Sequence, residues 1–160
     1  MPEMKFCPWC AALLETKVID GAERKACSSA DCDYVFWDNP TPIVAAIVEM
    51  EGAVILIRNQ GWPEKWFGLV SGFLEKGETS EQGVVREIKE ELDLEADEVT
   101  FLGLYPFFER NELILAYHVS AHGDIVTNEE IAEYRVIPVE NLKPWPFGTG
   151  KAVADWLEKK

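Results

Sequence analysis

Residues 72–94 read GFLEKGETSEQGVVREIKEELDL, a glycine-bounded loop that leads directly into an acidic helix. The helix is predicted to begin near Thr79, because Thr79 and Gln82 stand at the spacing of a capping box. Apolar residues then recur at helical spacing and predict a face that packs on a core, namely Val84, Val85, Ile88 and Leu92. The rest of the chain is expected to be arranged around this segment.

Three glutamates lie beside that apolar face: Glu87, Glu90 and Glu91. Like charges at these spacings repel by roughly 0.2–0.5 kcal/mol per pair in an isolated helix. A divalent cation would reverse the effect, because hard ions such as Mg2+ prefer carboxylate oxygens and keep coordination positions for a phosphate. The alternative is a solvated acidic surface, which is the usual fate of a charge run on a helix.

Eight positions of the segment match the spacing of the Nudix box, so the chain resembles the Nudix family at Gly72, Glu78, Arg86, Glu87, Ile88, Glu90, Glu91 and Leu94. Asp93 stands where the box has a glycine. That glycine usually leaves the helix with a positive φ, and Asp is among the few other residues that tolerate such a turn. The expected consequence is modest strain and an intact site.

The resemblance implies a mechanism in which Mg2+ (or Mn2+) is held against a diphosphate while water attacks phosphorus. The implied ligands are the Gly72 carbonyl and the carboxylates of Glu87, Glu90 and Glu91, and Glu90 or Glu91 is the expected proton acceptor. Arg86 is expected to pair with Glu78 and to brace the loop on the helix. Two further residues are candidates for the substrate site by resemblance: Phe73, to stack on a base, and Glu130, to lie near the metals, with Glu129 or Glu133 as alternatives.

Four cysteines fall in two pairs within residues 1–38, at Cys7, Cys10, Cys27 and Cys32. Paired cysteines in a reducing compartment indicate zinc ligands more often than disulfides, and we expect a structural Zn2+ held by all four thiolates in a zinc ribbon. The second pair has four intervening residues where two are usual. A redox role for the Cys7–Cys10 pair is the alternative, but the βαβ context that would lower a thiol pKa is absent.

The segment that follows, residues 39–160, is predicted to be the Nudix domain. Strands are predicted at residues 43–58 (two, separated by Glu51 and Gly52), 99–106, 113–121 and 134–139, and a closing helix at about 150–158. This order resembles the Nudix α/β/α sandwich, an α/β fold with a mixed sheet between helices.

Composition narrows the class of protein. The chain has 160 residues, 48% of them hydrophobic, which suits one domain with a core plus a small appendage. The formal net charge of −14 argues against nucleic acid as a partner. No apolar run approaches 18 residues and no signal peptide is recognisable, so no membrane partner and a cytoplasmic protein are expected.

A zinc ribbon directly before a Nudix domain is similar to NADH pyrophosphatases and to shorter relatives active on FAD or ADP-ribose. Of the motif that the longer relatives carry after the box, only Pro106 and the aromatic Phe107 are present. The implied substrate is therefore a nucleoside diphosphate derivative, and the resemblance also suggests a homodimer. The alternative is a non-catalytic module that senses nucleotides or binds a protein through the ribbon.

Overall fold

The computed structural model describes residues 3–160. The chain divides into two compact units, with the boundary between Asn39 and Pro40.

The N-terminal unit is a small antiparallel sheet. Its strands lie in the order β1 (Leu14–Ile19), β2 (Ala22–Cys27) and β3 (Val35–Phe36). Asp20 and Gly21 form the turn between β1 and β2 with φ of 51° and 78°, the pair of positive values that a two-residue hairpin requires. Only Cys7, Ala26 and Cys27 are buried among the described hydrophobic residues of this unit. So small a core calls for an additional cross-link such as a metal.

The C-terminal unit contains six strands and two helices. The strands are β4 (Thr41–Met50), β5 (Ala53–Asn59), β6 (Val70–Phe73), β7 (Glu95–Phe107), β8 (Glu112–His122) and β9 (Ile131–Pro138); the helices are α1 (Ser80–Leu92) and α2 (Gly150–Glu158). Short 3-10 turns occur at Phe108–Arg110 and Val139–Asn141.

The sheet is mixed. Its order is β7-β8-β4-β5-β9, with β4 and β8 parallel and the other neighbours antiparallel. On the side of β4 that faces away from β8, the N-terminal part of β4 pairs with β6 and its C-terminal part pairs with β5. The short strand β6 therefore brings Gly72 beside Val44, in the middle of the unit.

Each face of the sheet carries one helix. Both faces of β4 are apolar, as expected for a strand covered on two sides, and its alternate residues belong to separate cores. The core under α1 includes Val44, Ala46, Val48, Val84, Ile88 and Leu92, and the core under α2 includes Ile43, Ala45, Ile47, Ala152, Val153 and Trp156. The predicted α/β/α sandwich with a mixed sheet is confirmed.

Two details differ from the sequence prediction. Val85 is 36% exposed, so the large apolar side chains that α1 buries are Val84, Ile88 and Leu92. Strand β6 follows a loop rich in aromatic residues and was not predicted. No helix within the described range is long and apolar enough to cross a membrane.

Candidate active site

The start of α1 is fixed by its cap and by a contact with the sheet. The Gln82 N–H donates to Thr79 Oγ1 (3.3 Å) while the Thr79 N–H donates to Gln82 Oε1 (2.8 Å), which is the capping box that the sequence predicts. The Ser80 hydroxyl lies 2.6 Å from the hydroxyl of buried Tyr117 on β8. The first turn of α1 is thus attached to the sheet. Because the helix is regular, this attachment also orients the carboxylates further along α1.

The end of α1 bears the residue that departs from the box pattern. Asp93 adopts a left-handed conformation with φ of 56°, and its N–H donates to the Lys89 carbonyl. Lys89 Nζ lies 2.6 Å from Asp93 Oδ1 and 2.7 Å from Glu95 Oε1. The exposed ion pair between Lys89 and Asp93 partly offsets the cost of a non-glycine residue at this position.

Replacing Asp93 with Gly is expected to change the free energy of unfolding by less than about 1 kcal/mol. The relief of left-handed strain, about 1 kcal/mol or slightly more, is opposed by the lost ion pair and by the greater freedom of glycine in the unfolded chain. Asp93→Val, which keeps the positive φ with a β-branched side chain, should destabilise by more than Asp93→Gly. Urea denaturation of both variants checks this; a large loss in the glycine variant would contradict it.

Arg86 connects the loop to the helix. Its guanidinium donates to both oxygens of Glu78 (2.9 and 3.1 Å) and to the Phe73 carbonyl (3.1 Å). It also donates to Glu87 Oε1 (2.8 Å) and to Glu90 Oε2 (3.2 Å). The hydrogen bonds from Arg86 lower the pKa of Glu78 to about 2, so Glu78 is ionised at neutral pH. The structure places Arg86 as a brace between the two halves of the box.

Gly72 lies directly against a carboxylate. A Cβ atom built at Gly72 would overlap the carboxylate of Glu87, so no other residue fits here without displacing that group. The Glu87 side chain is 12% exposed. Burial, together with the charges of Glu90 and Glu130, raises the pKa of Glu87 despite the opposing effect of Arg86. The Gly72 backbone and the Glu87 carboxylate thus form one wall of the site.

Glu91 is the most unusual group in the site. It is 3% exposed, and its Oε2 atom is buried without a hydrogen-bond partner. Burial, followed by the negative charges of Glu87, Glu130 and Glu90, raises the pKa of Glu91 to about 8. A buried, unpartnered carboxylate oxygen beside other carboxylates is costly in a chain without a cation, and a hard divalent ion would satisfy it. The donor set therefore fits Mg2+ or Mn2+.

Glu130 approaches this cluster from the segment before β9, where its charge acts on both Glu87 and Glu91. Of the two alternatives, Glu133 pairs with Arg58 at 3.3 Å and with Arg135 at 3.5 Å. Neither Glu129 nor Glu133 is among the charges that act on Glu87 and Glu91, so Glu130 is favoured among the three glutamates. The contacts that hold it, from Gln60 and Asn128, were missed at the sequence level, although an Asn two residues before a Glu is a typical turn signal.

Phe73 ends β6 and is 62% exposed, so its ring is not part of the core. Its carbonyl accepts from Arg86, which ties the position of the ring to the box. An exposed aromatic ring at this place has the surface needed to stack on a base. Its role in binding remains a prediction.

The four cysteine sulfurs converge in the N-terminal unit. All four lie within 4.8 Å of one another, with Cys10 and Cys27 at 3.4 Å and Cys7 and Cys32 at 3.7 Å. Burial raises the pKa of the Cys7 thiol, but backbone N–H groups of Cys10 and Trp9 outweigh it and lower the value to about 7. Convergent thiols of which one ionises readily can hold a metal ion, and the unusual spacing of the second pair does not prevent this.

Comparison with known proteins agrees with the site. The model of the NUDIX domain matches residues 39–156. An ADP-ribose pyrophosphatase of Methanocaldococcus jannaschii is 30% identical over 134 residues, covering 79% of each chain. An NAD-capped RNA hydrolase NudC of Vibrio vulnificus is 26% identical over 149 residues, covering 91% of this chain and 56% of that protein.

A solved structure shows the same fold over nearly the whole chain. It is a NUDIX hydrolase from Nitrosomonas europaea, with a TM-score of 0.80 and 24% identity, covering 98% of this chain and 92% of that one. The chain spans only 55–56% of the length of the first NAD-capped RNA hydrolases that it matches. The family match, the fold and the box geometry agree, and the chain belongs to the Nudix family.

Proposed function

We propose that this protein hydrolyses the diphosphate linkage of a nucleoside diphosphate derivative by attack of water on phosphorus, with Mg2+ or Mn2+. The observation that carries the proposal is Glu91, whose buried Oε2 has no partner among the described residues. A buried carboxylate stays ionised near neutral pH only when another charge or several hydrogen bonds compensate for its removal from water. A divalent ion supplies that compensation, and a diphosphate supplies the ion's remaining ligands.

The residues of the site divide into those that would bind the metal ions and those that hold the loop in place. Glu87, Glu90, Glu91 and the Gly72 carbonyl would hold the ions. When bound, such ions neutralise charge on the diphosphate oxygens and make water easier to deprotonate. Arg86 and Glu78 keep the loop on the helix, so that the backbone of Gly72 stays against Glu87.

Glu90 or Glu91 is the proposed acceptor of the proton from the attacking water. In the chain without metal ions, burial and the neighbouring carboxylates raise the pKa of Glu91 to about 8, and ions held by the box would lower that value. Glu90 is the more exposed of the two, with 55% of its side chain accessible.

The proposed substrate class is small and contains an adenosine diphosphate unit. The two kinds of relative are named for NAD-capped RNA and for ADP-ribose, and both substrates contain this unit. Phe73 is proposed to stack on the base. The net charge of −14 favours a small substrate, since no excess of Lys and Arg is present to displace counterions from a polynucleotide. An RNA with an NAD cap is nevertheless included in the test.

Product analysis tests the function. Purified protein with Mg2+ or Mn2+ is incubated with NADH, NAD+, FAD, ADP-ribose, nucleotide sugars, nucleoside triphosphates and an NAD-capped RNA, and the products are separated by chromatography. The expected result is two phosphorylated products from at least one diphosphate, and none without a divalent ion. Binding of a nucleotide without cleavage of any compound would favour the non-catalytic module instead.

We also propose that residues 1–38 form a zinc ribbon with a structural Zn2+, and that residues 39–160 form the catalytic domain. Four thiolates complete a tetrahedral site and leave no position for a substrate. A thiolate site of this kind persists in a reducing compartment, in keeping with a cytoplasmic protein.

Replacing Cys10 with Ser is expected to lower the bound zinc from roughly one ion per chain to well below that, and to lower the melting temperature of the N-terminal unit. Its core is too small to hold the three strands without the cross-link. Metal analysis and thermal melting measure the two effects, with Ser28→Ala as a control in the same unit. Full zinc content together with an unchanged melt would refute the ribbon.

A further inference from the structure

We infer that Asn128 is a positioning residue, which holds Glu130 against the carboxylates of α1. The inference rests on the proposed function, because it gives Glu130 a place in the reaction. The side chain of Asn128 accepts the backbone N–H of Glu130. Asn128 therefore acts through the backbone of Glu130.

The side chain of Asn128 closes the turn that presents Glu130. Its Oδ1 accepts the N–H of Glu130 at 3.0 Å, and its carbonyl accepts the N–H of Ile131 at 3.3 Å. A side chain that accepts from the backbone two residues later defines an Asx turn, which constrains the intervening dihedral angles. Asn128 thereby restrains the backbone that leads to Glu130.

The turn is attached on both sides. Toward α1, the Asn128 N–H donates to the Glu91 carbonyl at 3.4 Å and the Val126 N–H donates to the Leu92 carbonyl at 3.0 Å. Toward β5, the Gln60 N–H donates to the Glu130 carbonyl at 2.7 Å. The first two bonds join the segment to the last turn of α1, which carries Glu91, and the third joins it to the residue after β5.

A β-bulge follows directly. Arg58 is opposite Glu133 whereas Asn59 is opposite Ile131, so β9 has one extra residue at this point. The extra residue turns Ile131 into the core beneath α1, where it is 6% exposed. Bulges commonly redirect side chains beside active sites, and this one anchors the end of the turn that carries Glu130.

Electrostatic repulsion explains why Glu130 needs a restrained backbone to stay beside the carboxylates of α1. Glu130 is exposed, and its negative charge acts on Glu87 and Glu91, which repel it. A free glutamate would rotate toward solvent and away from its like-charged neighbours. A hydrogen bond from its N–H to Asn128 and one to its carbonyl from Gln60 restrain the backbone of Glu130, so loss of the Asn128 side chain should let the residue move away.

The test is a double-mutant cycle with Asn128→Ala, Glu130→Gln and the combination, read in kcat and in Mn2+ affinity without substrate. Asn128→Ala should lower kcat by about 10- to 100-fold, the usual effect of removing a supporting group, with KM changed less than about threefold. It should weaken Mn2+ binding in the same direction as Glu130→Gln, because either change withdraws negative charge from the site. In the Glu130→Gln background, Asn128→Ala should add less than about twofold to either quantity.

Two further variants keep the result interpretable. Asn128→Ser, whose hydroxyl can form the same turn more weakly, should recover part of the loss even if the alanine variant folds poorly. Thr127→Ala, a neighbouring change in the same segment, should behave as the wild type.

Wild-type kcat and Mn2+ affinity in Asn128→Ala, or an equal loss with and without Glu130, would overturn the inference. Failure of the proposed function would appear differently, as no hydrolysis by the wild type. The Mn2+ affinities of the cycle would then still test the role of Asn128.

Discussion

Replacing Glu91 with Gln is expected to lower kcat by at least about 100-fold while the protein remains folded. The substitution removes the buried carboxylate that serves as a metal ligand or proton acceptor, and either loss has an effect of this size. Glutamine has nearly the same shape, so the core around Ile88 and Leu92 should remain packed. Steady-state kinetics measures the loss, with Glu98→Gln on the exposed surface of β7 as the matched control.

The same substitution should change how stability depends on pH when no Mg2+ or Mn2+ is present. Glu91 keeps its proton to about pH 8 in the folded chain, against an ordinary pKa of 4.5. Between these values the folded state binds more protons than the unfolded state, so the free energy of unfolding falls as pH rises. Glu91→Gln removes this contribution.

The Gln variant should therefore show a flatter profile from about pH 4.5 to pH 8, and it should be more stable than the wild type at pH 8. Denaturation at pH 6 and pH 8 decides this. A variant that is active, or one that is less stable than the wild type at pH 8, would contradict the place given to Glu91.

Replacing Gly72 with Ala is expected to reduce kcat by at least about tenfold and to destabilise the protein by about 1–3 kcal/mol, the usual cost of overpacking. The new methyl group would occupy the position of the Glu87 carboxylate, which would have to move and lose its contact with Arg86. Misplacing a group at the reacting centre by about 1 Å can cost on the order of 100-fold.

Gly68→Ala provides the matched control, since its Cβ would meet only the edge of the Trp62 ring at an ordinary 3.4 Å. Both variants are compared by kcat and by thermal melting. Full activity in Gly72→Ala would show that the backbone of β6 does not shape the site. An equal loss in both variants would point to a general effect of the added methyl group.

Local signals in the sequence were sufficient to predict α1. The capping box at Thr79, the apolar spacing of Val84, Ile88 and Leu92, and the tolerance of Asp93 for a positive φ all depend on residues within one or two turns. The strands of the central sheet were predictable for a similar reason, because buried strands have continuous apolar runs. Their ends extend beyond the predicted bounds, as in β7 (Glu95–Phe107), since pairing with a neighbour can continue through polar residues.

The features that were not predictable depend on contacts between distant residues. Strand β6 has only four residues, and its pairing with β4 rather than its composition defines it. The attachment of Asn128 to the last turn of α1 joins segments separated by more than thirty positions in the sequence. Candidate ligands could thus be named from local spacing, but the groups that support them could not.

The most direct test of the proposed chemistry is hydrolysis of ADP-ribose, or of the best substrate from the panel, in water enriched in 18O with Mg2+. The proposal predicts one 18O atom in the phosphate of one product, as required by attack of water on phosphorus, and product formation at least about 100-fold slower with Glu91→Gln. Cleavage that leaves both phosphates unlabelled, or labelled products formed equally by Glu91→Gln, would contradict it.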